Sequence, residues 1–203
     1  MNLSEKIAPS LAGPEFARSH AANLPGEWHA MLQQIGSPDL SMFAAGPRNA
    51  FSGEGFLETY LSRLLLPVEL PAIAEACGHA MRGELRELID QDHRLTEKIG
   101  PFASPSRQTG RLQLARLRPL RDDRLVQRYL AAVEFGQANG WHTIVYGLTL
   151  ALYSLPLRQG LLHYAQETCA SFSKNAAGKG DAAHLDRLME QLPNAVESAL
   201  ARC

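Results

Sequence analysis

Three cysteines in 203 residues, Cys77, Cys169 and Cys203, are too few and too odd in number for a disulfide framework, and no two form a CxxC pair. That usage fits a reducing, intracellular setting. β-Branched residues are scarce as well: valine, isoleucine and threonine together number 17, against 59 leucines and alanines. Leucine and alanine favour helix, and no segment alternates polar and apolar residues long enough to require a strand. A charge excess is also missing. The formal net charge of -1 argues against a general nucleic-acid binder, which carries a clear basic surplus. No charged start followed by an apolar run marks a secretory leader. The most apolar stretch, Trp141 to Leu157, is short for a membrane span and contains His142, Thr143, Thr149 and Ser154, so it reads as a buried core helix.

What is present is a run of helical patterns separated by proline and glycine. A chain of this length buries roughly 70% of its unfolded surface, enough for one self-sufficient domain. Residues 1–26 hold Pro9, Gly13, Pro14, Pro25 and Gly26 and read as a loose arm, leaving 27–203 as the domain. A short helix is expected over 27–35, and a long Gly/Pro/Ser/Asn-rich loop over 36–55. Phe56 to Leu66 is amphipathic, with Pro67 expected to stop it and Pro71 to open the next helix, which runs to about Met81. Glu84 to Ile99 follows, ended by Gly100 and Pro101. Ser104-Pro105 has the form of a cap and a first helical residue, for a helix reaching Leu117 before Pro119. Asp122 or Asp123 starts another, with Leu125, Val126, Tyr129, Leu130 and Val133 on its apolar face. After Gly136 to Gly140 comes the Trp141 helix, then one from Pro156 to about Ser173 and a polar link from Asn175 to Gly180. Asp181 caps a helix carrying Leu185, Leu188, Met189 and Leu192, and Pro193 opens a last one. The expected fold is an all-α, single-domain bundle of nine or ten helices around the Trp141 helix.

Catalytic signatures are missing: there is no GxGxxG, Walker loop, HExxH or GxSxG. Cys77-Gly-His79 is the nearest approach to a metal pair, but on a helix these side chains point about 200° apart. No catalytic residue, metal ligand or intrinsic cofactor is therefore assigned. His142, at the start of the most apolar helix, reads as a polar side chain satisfied within the core. Arginine is concentrated in one place: Arg107, Arg111, Arg116, Arg118, Arg121, Arg124 and Arg128, offset only by Asp122 and Asp123. Arg121, Arg124 and Arg128 share a helical face. This surface is either solvated and paired with acids such as Glu84, Glu87 and Asp90, or a docking patch for an acidic protein.

The order of these segments resembles the UreF family of urease accessory proteins over residues 31–200. Met31-Leu32-Gln33-Gln34-Ile35-Gly36-Ser37-Pro38 is similar to an early LLQxxSP segment, and Tyr60 to Leu66 followed by Leu70-Pro71 to a leucine-rich helix before Leu-Pro. Ser104 to Arg111, SPSRQTGR, matches the family's ASRQxGR helix. His142-Thr143-Ile144-Val145-Tyr146-Gly147 matches HxxVxG at the start of the central helix, and Tyr164 corresponds to a tyrosine in the next. The resemblance implies a non-enzymatic, cytoplasmic homodimer. It implies binding to a second accessory protein and a nickel-carrying GTPase, which together deliver nickel to apo-urease. Partner-binding candidates are then Arg107, Gln108, Arg111, Arg121, Arg124, Arg128, His142 and Tyr164, as interface or structural elements. Two departures stand out. Residues 38–56 fit the family's PxGxFxxSxGLE segment loosely, and the family's tail with His-Glu and SRLF has no counterpart before Leu200-Ala201-Arg202-Cys203. In the family that tail helps dock the second accessory protein. The competing expectation is an all-α interaction module with another client, bound through the 107–128 arginine surface.

Overall fold

The structure, a computed structural model, describes residues 56–120, 122–175 and 182–201, with the side chains of Phe56 and 172–188 outside that description. The expected arm, the 27–35 helix, the 36–55 loop, the Asp181 cap and Arg121 all lie outside the described residues. Within them the chain is helical, with no strand. The helices are α1 (Phe56–Tyr60), a π-helical segment (Leu61–Glu69), α2 (Leu70–Met81), α3 (Leu85–Ile99), a 3-10 turn (Gly100–Phe102), α4 (Ala103–Leu117), α5 (Arg124–Glu134), α6 (His142–Leu152), α7 (Leu157–Asn175) and α8 (Ala182–Leu200). The all-α expectation holds for these residues. The count of nine or ten separate helices is not confirmed: among the described residues, two prolines expected to divide helices do not divide them.

Pro67 lies inside the π-helical segment, so α1 and α2 form one continuous rod from Phe56 to Met81. A proline in an α-helix removes one hydrogen bond and crowds the carbonyl four residues back. Widening the turn to i→i−5 bonding relieves that crowding, as the bond from the Leu70 N–H to the Leu65 carbonyl illustrates. Pro193 likewise sits within α8. Leu192, Val196 and Ala199 are buried on both sides of it, and this shared apolar stripe outweighs the lost bond. Ser104 does not cap α4: the helix begins one residue earlier and has no side-chain cap. Asp123 does cap α5, accepting from the Val126 N–H at 2.9 Å.

Every residue of α6 from His142 to Leu150 is buried, as its apolar composition requires. α6 packs chiefly against α2 and α4. α2 is a second centre, touching α3, α6, α7 and α8. By length and composition the stretch Leu57–Met81 could cross a membrane. Here it is the core rod, with Leu65, Leu70, Ile73 and Ala76 fully enclosed.

Glycine permits these crossings. A Cβ on Gly110 of α4 would stand 2.0 Å from the Gly140 carbonyl oxygen and 2.7 Å from the His142 nitrogen. One on Gly147 of α6 would stand 2.6 Å from the Ile73 carbonyl oxygen and 3.0 Å from the Cys77 nitrogen. These are backbone atoms, so the helices themselves would have to move apart. Gly136 differs: its φ of 73° is the left-handed region, with nothing within 4 Å of an added Cβ. Gly110→Ala and Gly147→Ala should therefore each cost on the order of 3 kcal/mol in urea unfolding, and Gly136→Ala about 1 kcal/mol. Equal costs at all three positions would contradict the close-crossing account.

Candidate functional site

The base of the bundle is organised by Asp92 of α3, which is completely buried. Its Oδ1 accepts from the Asn139 backbone N–H at 2.7 Å and from Asn139 Nδ2 at 2.9 Å. Its Oδ2 accepts from the Tyr129 hydroxyl at 2.8 Å and the Gly140 N–H at 2.9 Å. Trp141 Nε1 donates to the Asp92 backbone carbonyl at 2.7 Å. One carboxylate thus pins the α5–α6 connection to α3 and sets where α6 begins. Arg107 of α4 lies over the Trp141 ring, its guanidinium carbon 5.6 Å from the ring centre.

From that starting point His142 enters a buried polar chain. Ser106 of α4 lies 2.7 Å from His142 Nδ1, and His142 Nε2 lies 2.6 Å from the Tyr164 hydroxyl of α7. The Tyr164 hydroxyl donates to Glu69 Oε2 at 2.9 Å, and the Tyr60 hydroxyl donates to the same oxygen. Because Tyr164 gives its proton to Glu69, its oxygen accepts from His142 Nε2–H, and His142 Nδ1 accepts from Ser106. The imidazole is thus a neutral tautomer with both nitrogens engaged. The proline-induced π-helical segment places Glu69 inward, and the chain joins α1, α4, α6 and α7 across the core.

Serine, histidine and a carboxylate in sequence invite comparison with an acyl-transfer triad. The geometry differs. Tyr164 stands between His142 Nε2 and Glu69, leaving the imidazole 3.9 Å from the nearer carboxylate oxygen. Ser106 is 0% exposed, and no member of the chain exceeds 2%. A substrate carbonyl has no route to the serine oxygen. Burial pushes Glu69 up to about 7, partly offset by the two tyrosine hydrogen bonds, and drives His142 down to about 3. Cys169, buried nearby, is pushed up to about 12 by desolvation and then by Glu69, which keeps it a thiol. His142 and Tyr164 therefore sit as satisfied groups inside the chain, and a partner could touch them only if the core opened.

The arginines lie outside. Arg107, Gln108, Arg111, Arg124 and Arg128 are all exposed, on α4 and α5. The pairing expected with Glu84, Glu87 and Asp90 is not found: Glu84 is held by His79 and Arg82, and Asp90 faces Arg86. Among the described residues no carboxylate pairs with Arg107, Arg111, Arg116, Arg124 or Arg128, while Arg118 bridges to Glu134 of α5. Arg111, Leu114, Ala115 and Arg118 of α4 and Leu130, Val133 and Glu134 of α5 line a shallow groove of about 260 Å³. Arg124 and Arg128 are not part of it. His79 is bracketed by Glu75 at 3.5 Å and Glu84 at 2.8 Å through opposite ring nitrogens, while Cys77 is buried. Among the described residues no three His, Cys, Asp or Glu side chains are grouped to hold a metal ion.

Glu69 and Asp92 carry no expectation of a site role from the sequence, while Tyr60 is expected only on an apolar helix face and Ser106 only at the start of the SRQTGR segment. The available signals were a lone glutamate inside the apolar run Leu64 to Leu70 and a serine in the SRQ segment.

The fold and this polar core define an all-α bundle whose internal hydrogen-bond chain is closed and whose cationic groups face outward. A family model described as UreF matches residues 48–195. The chain belongs to the UreF family of urease accessory proteins. Gly110 and Gly147 of the SPSRQTGR and HTIVYG segments fall at the close crossings, and Ser106, His142 and Tyr164 in the buried polar chain. No curated protein and no solved structure matches the chain.

Two measurements check the buried groups. Glu69 is raised, so the folded chain holds a proton between pH 4.5 and about 7 that the unfolded chain has released. Its stabilising share is complete below 4.5 and is lost as pH rises through about 7. His142 has the opposite sign: its share is present above 6.5 and lost as pH falls toward about 3. Relative to the unsubstituted chain, Glu69→Gln should thus gain about 1.4 kcal/mol per pH unit between those limits for Glu69. Unfolding free energies measured at several pH values give the difference; a constant offset would refute the buried-acid assignment. Asp92→Ala strands the four donors from Asn139, Tyr129 and Gly140 and should cost roughly 3 kcal/mol or more by urea unfolding.

Proposed function

We propose that this chain acts in urease maturation as an accessory protein with no catalytic step of its own. Its partners are a nickel-carrying P-loop GTPase, a second accessory protein and apo-urease, and nickel is cargo of the assembled complex. The chain works as a cytoplasmic homodimer. The observation that carries this reading is the family match over residues 48–195. The structure adds support of a different kind. The buried polar residues Ser106, His142, Tyr164 and Glu69 are spent on holding helical elements together, which is what a rigid platform for partners requires.

Co-purification is the direct test. The full chain, at micromolar concentration and with nickel and guanine nucleotide present, should retain the urease accessory GTPase and the second accessory protein of the same cell. Retention of neither would overturn the urease assignment.

A further inference from the structure

We propose that the groove between α4 and α5 is a docking site for an acidic amphipathic helix of a protein partner. Its floor is apolar, from Leu114, Ala115, Leu130 and Val133, and its rim carries Arg111 and the Arg118–Glu134 bridge. The described residues of 103–135 hold six arginines against Asp122, Asp123 and Glu134, so this layer is cationic in a chain whose net charge is -1. Arg111, with which no carboxylate among the described residues pairs, offers a bidentate site to a carboxylate brought by another protein. Phe135, directly after Glu134, is 79% exposed, the most exposed large apolar side chain among the described residues. An exposed aromatic side chain next in sequence to a groove residue, with arginine on the groove's rim, is the composition of an interface centre.

The size and the chemistry favour a helix over other ligands. About 260 Å³ accommodates one or two apolar side chains and falls below the usual range for drug-sized ligands. A nucleic-acid backbone gains nothing from the apolar floor. A helix with leucine at i, i+3, i+4 and i+7 and glutamates flanking that row matches both the floor and the rim. The inference concerns the surface and stands whichever protein supplies the helix, so failure of the urease reading leaves it intact.

The probe is a fluorescein-labelled peptide of that pattern, titrated with the full chain and followed by anisotropy. A peptide of the same composition, scrambled to erase the leucine row, and single-stranded DNA of equal charge are the comparisons. The patterned peptide should bind at least about tenfold tighter than either, and Arg111→Glu combined with Phe135→Ser should weaken it at least about tenfold. Arg124→Glu with Arg128→Glu reverses more charge outside the groove and should change binding less than about threefold. All four side chains are exposed, and a thermal melt checks that the variants fold. Equal binding by the scrambled peptide or DNA would overturn the proposal. So would an equal or greater loss on reversing Arg124 and Arg128, since either result would mean a general cationic field.

Discussion

The backbone of α6 meets α4 at Gly110 and α2 at Gly147 with no space for a side chain between them, and much of the buried architecture follows from those two approaches. A helix enclosed on all sides cannot use water to satisfy its polar groups, so its neighbours must do so. Close crossing brings Ser106 of α4 within reach of His142, and α7 presents Tyr164 to the other ring nitrogen. Each partner is set by helix position, so the chain of hydrogen bonds also reports that the helices are correctly docked.

Burying Glu69 imposes an energetic constraint of its own. A carboxyl group in the core is tolerated because two tyrosine hydroxyls donate to it and because its pKa rises toward neutrality. Apolar groups of similar shape would fill the same space, but they would tolerate sliding of α1, α4, α6 and α7 past one another. A directional polar chain penalises such sliding. Under the accessory role proposed above, resistance to sliding keeps the outer surfaces fixed for partners. The arginine surface has the complementary character: it is outside, and among the described residues only Arg118 of its arginines pairs with a carboxylate.

Much of the helical layout was legible in the residues themselves. The Asp123 cap, the end of α3 at Gly100, the end of α4 near Leu117 and the buried nature of the Trp141 helix are local matters of side-chain propensity and apolar periodicity. The order of short segments was enough to indicate the family. The readings that failed concern proline. Pro67 and Pro193 are helix breakers in isolation, yet burial of the stripes on either side keeps both helices continuous. Arginines 111 and 118 belong to the groove while 124 and 128 do not, a division that depends on how α4 and α5 pack and cannot be read from spacing along one helix.

The one-dimensional order of residues thus settled helix against strand, the apolar faces and the family, because these depend on neighbours a few positions apart. The tertiary structure alone decided that Glu69, Ser106, His142, Tyr164 and Tyr60 meet, since Glu69 and Tyr164 are 95 positions apart and only packing brings them together. It also decided that Asp92 governs the start of α6, through contacts with residues 139 to 141 across the bundle. Partners so distant along the chain leave no periodic trace, and their pairing is written in the helix crossings that glycine makes possible.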